Sequence, residues 1–236
     1  MSVVEHAEGF SCELAGGAHV LFTSRAHGNL STQTGDGHER GCETRDTLCD
    51  ELDLAWLCAS RQVHGTLVQR VSAVAGRGGE PVAIDADGQA TALAGVGAMV
   101  LTADCLPVAL GGDGAVAMLH AGWRGLAAGV LEEGIRALRE LGAAGPIEAV
   151  VGPGAGVCCY DVGPEVHAAF GQDHPGPPHR HGKNIDLRGI AHERLLAAGV
   201  ARVLDANACT ICDEHFFSHR REGARAGRQG GVAWLG

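Results

Sequence analysis

The sequence predicts an α+β, or mixed α/β, fold organised as a single domain over residues 1–236. Three observations carry this. Apolar runs of strand length alternate with amphipathic stretches of helical period along the chain. The two clearest strands are joined by a Gly/Asp turn, as in a hairpin, and not by the helical crossover of a doubly wound parallel sheet. Hydrophobic residues fill 45% of the 236 positions. That is enough for one large core, since a single core keeps growing to about 250–300 residues.

In chain order, residues 18–24 (AHVLFTS) read as a strand ending in a Thr-Ser turn. Residues 25–42, rich in Gly, Ser, Thr, Asp and His, read as a loop. Apolar or Cys positions recur at helical spacing over 44–53, and 55–60 and 66–73 read as strands. VGAMVLTAD (96–104) is a buried strand reaching Asp104 and Cys105. LPVAL (106–110), the turn Gly111-Gly112-Asp113-Gly114 and AVAMLH (115–120) then make the hairpin. Antiparallel pairing brings Cys105, before the first run, beside His120, at the end of the second. Residues 125–141 form an amphipathic helix with Leu126, Val130, Leu131, Ile135, Leu138 and Leu141 on one side. A strand over 147–151 leads into the loop Gly152–Gly156, which exposes backbone N–H groups but lacks a Walker lysine and the GxGxxG spacing. Helices are predicted over 163–170 and 186–198, strands over 201–206 and 231–235, and a polar, Pro-rich mobile loop over 172–183.

Bulk composition narrows the function classes. A net charge of −10 with 4% aromatic residues argues against nucleic-acid binding, which favours a basic surface and stacking rings. No stretch approaches the about 20 apolar residues of a membrane span, and the start MSVVEHAEGF has no signal-peptide pattern. A cytoplasmic protein is expected. Its nine cysteines are then mostly free thiols, with one or more on a metal.

Three compact motifs carry the chemistry: Gln62-Val63-His64-Gly65, Thr102-Ala103-Asp104-Cys105-Leu106-Pro107 and His120-Ala121-Gly122-Trp123-Arg124-Gly125. His64, Cys105 and His120 are a three-ligand set for a borderline-soft cation such as Zn²⁺, with the fourth position left for water or substrate. The same residues also suit a Cys/His nucleophile–base pair. Arg124, at a predicted helix N-terminus, suits an anion, and Asp104 suits a carboxylate that orients a metal-bound His. Cys209, Cys212, His215 and His219 resemble a zinc finger, but the gap between the Cys and His pairs is far shorter than the usual about 12 residues. The vicinal pair Cys158-Cys159 reads as small buried side chains under the glycine loop. The segment Phe216–Arg221 combines an apolar anchor with basic residues that suit closing a site over an anion.

After QVHG, the motifs TADCLPV, HAGWRG, GPGAGVCCYDVG and FFSHRR…GRQ follow in an order that resembles the YfiH-like, laccase-domain family. Its members have been called polyphenol oxidases, purine nucleoside phosphorylases and peptidoglycan editing factors. The resemblance runs from about Phe22 to the C-terminus. It implies an αββα-layered fold, similar to that of bacterial cysteine-deamidase toxins, and a zinc site of two His and one Cys, here His64, Cys105 and His120. It also implies purine nucleosides split by phosphate at the glycosidic bond, with adenosine deamination as a side activity. Candidate contacts to nucleoside and phosphate are Arg25, Gln62, Asp104, Arg124, Tyr160 and Arg220. The segment Ser24–Ser31 is shorter than its family counterpart, which bears on specificity and not on the metal ligands. The expected partners are small molecules only, bound by a monomer.

Other functions stand beside this one. In a Cys/His amidase editing a peptidoglycan precursor, Cys105 is the nucleophile and His120 its base. A copper phenol oxidase needs several His clusters, and one trio is present. A non-enzymatic zinc module needs a fourth protein ligand, which these motifs do not supply.

Overall fold

The computed structural model describes residues 2–6, 9–34, 37–74, 82–171 and 180–236. Two six-stranded sheets stack face to face. The first runs in the order Val4–His6, Gly9–Leu14, Ala18–Thr23, Gln229–Leu235, Val96–Thr102, Trp56–Cys58. The second runs Arg202–Asp205, Ala144–Val151, Leu106–Asp113, Ala115–Ala121, Gly88–Thr91, Gln69–Val71. Both contain parallel and antiparallel pairs.

The hairpin lies at the centre of the second sheet, with Pro107 opposite His120 and Leu106 opposite Ala121. Its turn contains Gly114 at φ 86°, a left-handed conformation that favours glycine. Both faces of this sheet are covered, which is why its strands read as nearly continuous apolar runs. Val108, Leu110, Ala117 and Leu119 face the helical layer. Ala109, Val116 and Met118 meet Val20, Phe22, Val100 and Ala233 of the first sheet.

The outer layers are helical. Helix α1 (His38–Glu51) supplies Leu48 and Cys49 to a cluster with Leu21, Met99 and Val232 on the outer face of the first sheet. It begins inside the stretch predicted as a loop, because its first turns are polar and show no apolar stripe. The predicted helix over 125–141 is two helices, α2 (Trp123–Ala128) and α3 (Val130–Glu140). Gly129, at φ 103°, breaks them while its N–H donates to the Gly125 carbonyl at 3.0 Å. The apolar period survives the break, so Val130, Leu131, Ala137 and Leu138 are all buried. Helices α4 (Pro164–Phe170) and α5 (Leu187–Ala197) complete this layer, giving the order helix, sheet, sheet, helix. A short helix α6 (His219–Glu222) follows the Phe216-Phe217 segment. Residues 172–179 of the Pro-rich stretch lie outside the described residues. Among the described residues no helix is long and apolar enough to cross a membrane.

Candidate functional site

The hairpin register puts Cys105 and His120 at one end of the second sheet, but it does not reach His64. Asp87 makes that connection. Its carboxylate is fully buried and accepts backbone N–H bonds from Val63 (3.1 Å), His64 (2.9 Å) and Gly65 (2.6 Å). It also meets His120 Nδ1 at 2.8 Å, and its carbonyl accepts the His120 N–H at 2.7 Å. One carboxylate thus fixes the QVHG segment, with His64 in a left-handed conformation at φ 60°, and orients the second imidazole.

With Nδ1 of His120 held by Asp87, its Nε2 is the nitrogen left for the site. Cys105 Sγ lies 3.9 Å from His64 Nε2, and the two imidazole rings meet edge to face at 4.8 Å. One donor atom from each of His64, Cys105 and His120 falls within 4.8 Å of the others. In a tetrahedral zinc site an N and an S ligand stand about 3.5 Å apart, so this donor set fits a metal such as zinc with little movement. Gly122 permits the approach. A Cβ there would lie 2.9 Å from His64 Cδ2 and 3.0 Å from Cys105 Sγ.

The electrostatics suit the same use. Burial opposes the Asp87 carboxylate, but His120 and the backbone N–H donors outweigh it and hold its pKa below the ordinary range. Burial likewise opposes a Cys105 thiolate. The charge of His120 and hydrogen bonds from both histidines reverse that, bringing the thiol to about 6. Burial works against a His120 imidazolium, yet Cys105 and Asp87 raise it to about 9. Both shifts favour a thiolate beside an imidazolium when no metal is bound.

The three side chains open onto a cleft of about 480 Å³, within the range of small-molecule sites. Gln62 lines it and is held by two bonds to the Leu101 backbone, each 2.8 Å. Arg45, His219 and Arg228 bring positive or titratable groups to its wall. Burial pushes the Arg228 guanidinium below its ordinary pKa, while the negative charges of Cys105 and Asp104 pull it back up.

The other candidates fall elsewhere. Asp104, at φ 93°, accepts from Thr210 Oγ1 (2.8 Å) and the Arg220 N–H (2.7 Å) and meets neither histidine. The orienting carboxylate is Asp87, and Asp104 ties loops together. Arg25 pairs with Glu222 and lies 4.3 Å over the Phe217 ring, beside a different hollow. Arg124 is exposed and stacks 4.3 Å over Trp123, outside the cleft lining. Tyr160 and Arg220 stack at 5.2 Å in a neighbouring hollow with Trp123. Burial first, then the Cys105 charge, pushes the Tyr160 phenol up to about 12.

Sequence reasoning missed Asp87, Arg45 and Arg228. For Asp87 the available signal was Asp-Gly after a short apolar run, which also reads as turn chemistry. The zinc-finger grouping does not form either. His215 turns to Asp213 at 2.7 Å, His219 joins the cleft, and Cys209 and Cys212 gather with Cys158 and Cys159. That vicinal pair is not buried: Cys158 is exposed and Cys159 half-buried.

A family model described as multi-copper polyphenol oxidoreductase laccase matches residues 10–236. A Xylella fastidiosa protein named purine nucleoside phosphorylase is 39% identical over 227 residues, covering 89% of this chain and 84% of its own. The Escherichia coli purine nucleoside phosphorylase YfiH is 36% identical over 220 residues, with 88% and 85% covered. Among solved structures, YlmD from Geobacillus stearothermophilus is similar with a TM-score of 0.86 and 29% identity, covering 99% of this chain and 98% of that one. A Neisseria meningitidis protein is similar with a TM-score of 0.81 and 29% identity, covering 100% and 99%.

Proposed function

The chain belongs to the multi-copper polyphenol oxidoreductase laccase family, and from that premise we propose that it is a zinc-dependent purine nucleoside phosphorylase with adenosine deamination as a side activity. The observation that carries this reading is the His64, Cys105 and His120 trio on the wall of a nucleoside-sized cleft that also presents Arg228. Relatives named purine nucleoside phosphorylase support the substrate class. Bound to His64, Cys105 and His120, Zn²⁺ would supply a Lewis-acidic position beside the nucleoside for a phosphate or water oxygen.

The chain's own residues have separate tasks. Asp87 holds His120 in one tautomer and sets the angle of His64. Gln62 stiffens the cleft wall against Leu101. Arg228 and Arg45 balance phosphate charge while the C1′–N9 bond breaks and a phosphate oxygen bonds to C1′. The leaving purine takes the proton that the attacking dihydrogen phosphate gives up. Inosine, adenosine and methylthioadenosine are the substrates to assay first, acted on by a monomeric, cytoplasmic single-domain protein.

The deciding experiment measures free base released from a nucleoside panel with and without phosphate, with metal content measured in the same preparation. Release should require phosphate, stop after chelation and return with Zn²⁺. Full base release by metal-stripped protein overturns the proposal.

Two variants sharpen it. Arg228→Ala should raise KM for phosphate about 10–100-fold, the loss of one charged hydrogen bond of about 1.5–3 kcal/mol, with little change in KM for nucleoside. Arg124→Ala is its companion. If the guanidinium on Trp123 meets the anion instead, the two effects exchange places. Gly122→Ala should weaken Zn²⁺ affinity by about 10–100-fold, because its methyl presses on His64 and Cys105 together. Its helical-entry backbone, at φ −66°, accepts alanine, so the urea midpoint should stay near that of the parent.

The grouping of Cys105 with two imidazoles, which favour its thiolate, supports a second reading, the amidase with Cys105 as nucleophile. The copper oxidase has less support. Among the described residues the other metal-capable group is four cysteines with no histidine, whereas multicopper chemistry needs several His clusters.

A further inference from the structure

Two short cysteine pairs, about fifty positions apart, meet on the side of the fold that carries the glycine loop. Cys158 and Cys159 follow the strand Ala144–Val151 through Gly152–Gly156, and Cys209 and Cys212 follow the strand Arg202–Asp205. These strands are parallel neighbours, so their exit loops leave the sheet side by side. Main-chain bonds stitch the loops together: Gly154 N–H to the Ala208 carbonyl at 3.2 Å and Thr210 N–H to the Gly154 carbonyl at 3.1 Å. The four sulfurs then fall within 4.8 Å of one another.

We infer that Cys158, Cys159, Cys209 and Cys212 form a second metal site, closed by four thiolates, that takes Zn²⁺ as a cross-link between these two loops.

Geometry supports a cation at the centre. Four sulfurs about 2.3 Å from zinc stand about 3.8 Å apart. Here all four sulfurs lie within 4.8 Å, and Cys159 and Cys212 at 2.8 Å and Cys158 and Cys212 at 3.4 Å are closer than in a loaded site, so the ion would part the tightest pair by about 1 Å. The backbone is arranged for thiolate. The Gly156 N–H donates to Cys209 Sγ at 3.2 Å. The backbone N–H groups of Ile211 and Cys212 also point to this sulfur. N–H bonds from the second and third residues after the first cysteine are what a Cys-x-x-Cys turn uses to stabilise a metal-bound sulfur. Gly156 also makes room, since a Cβ there would lie 3.1 Å from Cys209 Sγ and 3.2 Å from Cys158 Sγ.

Charge supplies the need for the ion. Four thiolates this close together repel one another, and a divalent soft cation at their centre removes that repulsion and displaces the thiol protons. Four protein ligands leave no position for water, so the site is structural. Its role is local. Thr210, inside the Cys209–Cys212 turn, is the hydroxyl that holds Asp104, and Tyr160 follows Cys159 directly.

The test uses the full chain carrying Cys105→Ser and His120→Ala, which removes ligands of the first site, purified from zinc-supplemented medium without chelator. The expected result is about one zinc per chain after dialysis. That zinc is lost when Cys209→Ser and Cys212→Ser are added, and the melting temperature falls with it. A second measurement needs no variant of the cluster. Reduced, metal-stripped parent chain titrated with Co²⁺ should show the intense sulfur-to-cobalt absorption of a four-thiolate site, bleached by Zn²⁺. A zinc-free chain whose four thiols alkylate as fast as free cysteine overturns the inference. So does an intact mass lighter by the hydrogens that a disulfide removes. Neither readout depends on the substrate of the first site.

Discussion

Asp87→Asn should cost more metal affinity and more stability than any other single change that leaves His64, Cys105 and His120 in place. The carboxylate accepts four hydrogen bonds in a fully buried position: three from backbone N–H groups and one from His120 Nδ1. Asn has one acceptor oxygen and an NH₂ that cannot accept. Whichever way the amide turns, its NH₂ faces a backbone N–H or the imidazole N–H. Each charged bond lost is worth about 1.5–3 kcal/mol, and each buried donor left without a partner costs about 1–3 kcal/mol. The QVHG segment then loosens and His120 loses its fixed tautomer. Loss of such a partner to a metal-bound His typically costs about 10–100-fold in metal affinity or activity. Chelator competition measures the first, and denaturant unfolding should lose about 2–4 kcal/mol.

The pH dependence has a definite sign. The Asp87 pKa is depressed in the folded chain. Its contribution is therefore fully present above the unfolded carboxyl value of about 3.9 and is lost as pH falls through the lower folded value. The stability gap between parent and Asp87→Asn should close in acid. A gap that stays constant, with unchanged metal affinity, would mean that Asp87 is a turn residue and nothing more.

The case of Asp87 also explains what could be read from the sequence. The hairpin joined Cys105 to His120 because two apolar runs and a Gly/Asp turn determine the register locally. The approach of His64 depends on a carboxylate more than twenty positions away, in the segment Asp85-Ala86-Asp87-Gly88, whose local chemistry is that of a turn. Side-chain direction was hidden for the same reason. Arg25 and Arg124 were both expected to meet an anion, yet one finds Glu222 and the other the Trp123 ring. The helix over 125–141 was legible in its apolar face and not in its break, because Gly129 interrupts the backbone without disturbing the burial period. The cysteine pairs were each visible, but their meeting follows from strand order, which spacing rules do not contain.

Cys105→Ser separates a metal ligand from a nucleophile. Serine replaces a soft, acidic thiol with a hard hydroxyl of nearly the same shape, so the cleft should keep its form. If Cys105 binds zinc, metal at this site and activity fall together, and excess Zn²⁺ restores part of both. If it is a nucleophile, activity vanishes while metal on His64 and His120 stays largely bound. Zinc content must be counted per site, because the four-cysteine cluster contributes its own ion. An alkylating reagent gives an independent reading. In the metal-free chain the neighbouring histidines hold the Cys105 thiol near 6, so it should react quickly at neutral pH. In the loaded chain the same sulfur should be protected until chelator is added. Protection with parallel loss of metal and activity is the expected outcome. Rapid alkylation of Cys105 in fully loaded protein, together with an inactive Ser variant that keeps its zinc, would instead make the thiolate–imidazolium pair the catalyst and the protein an amidase.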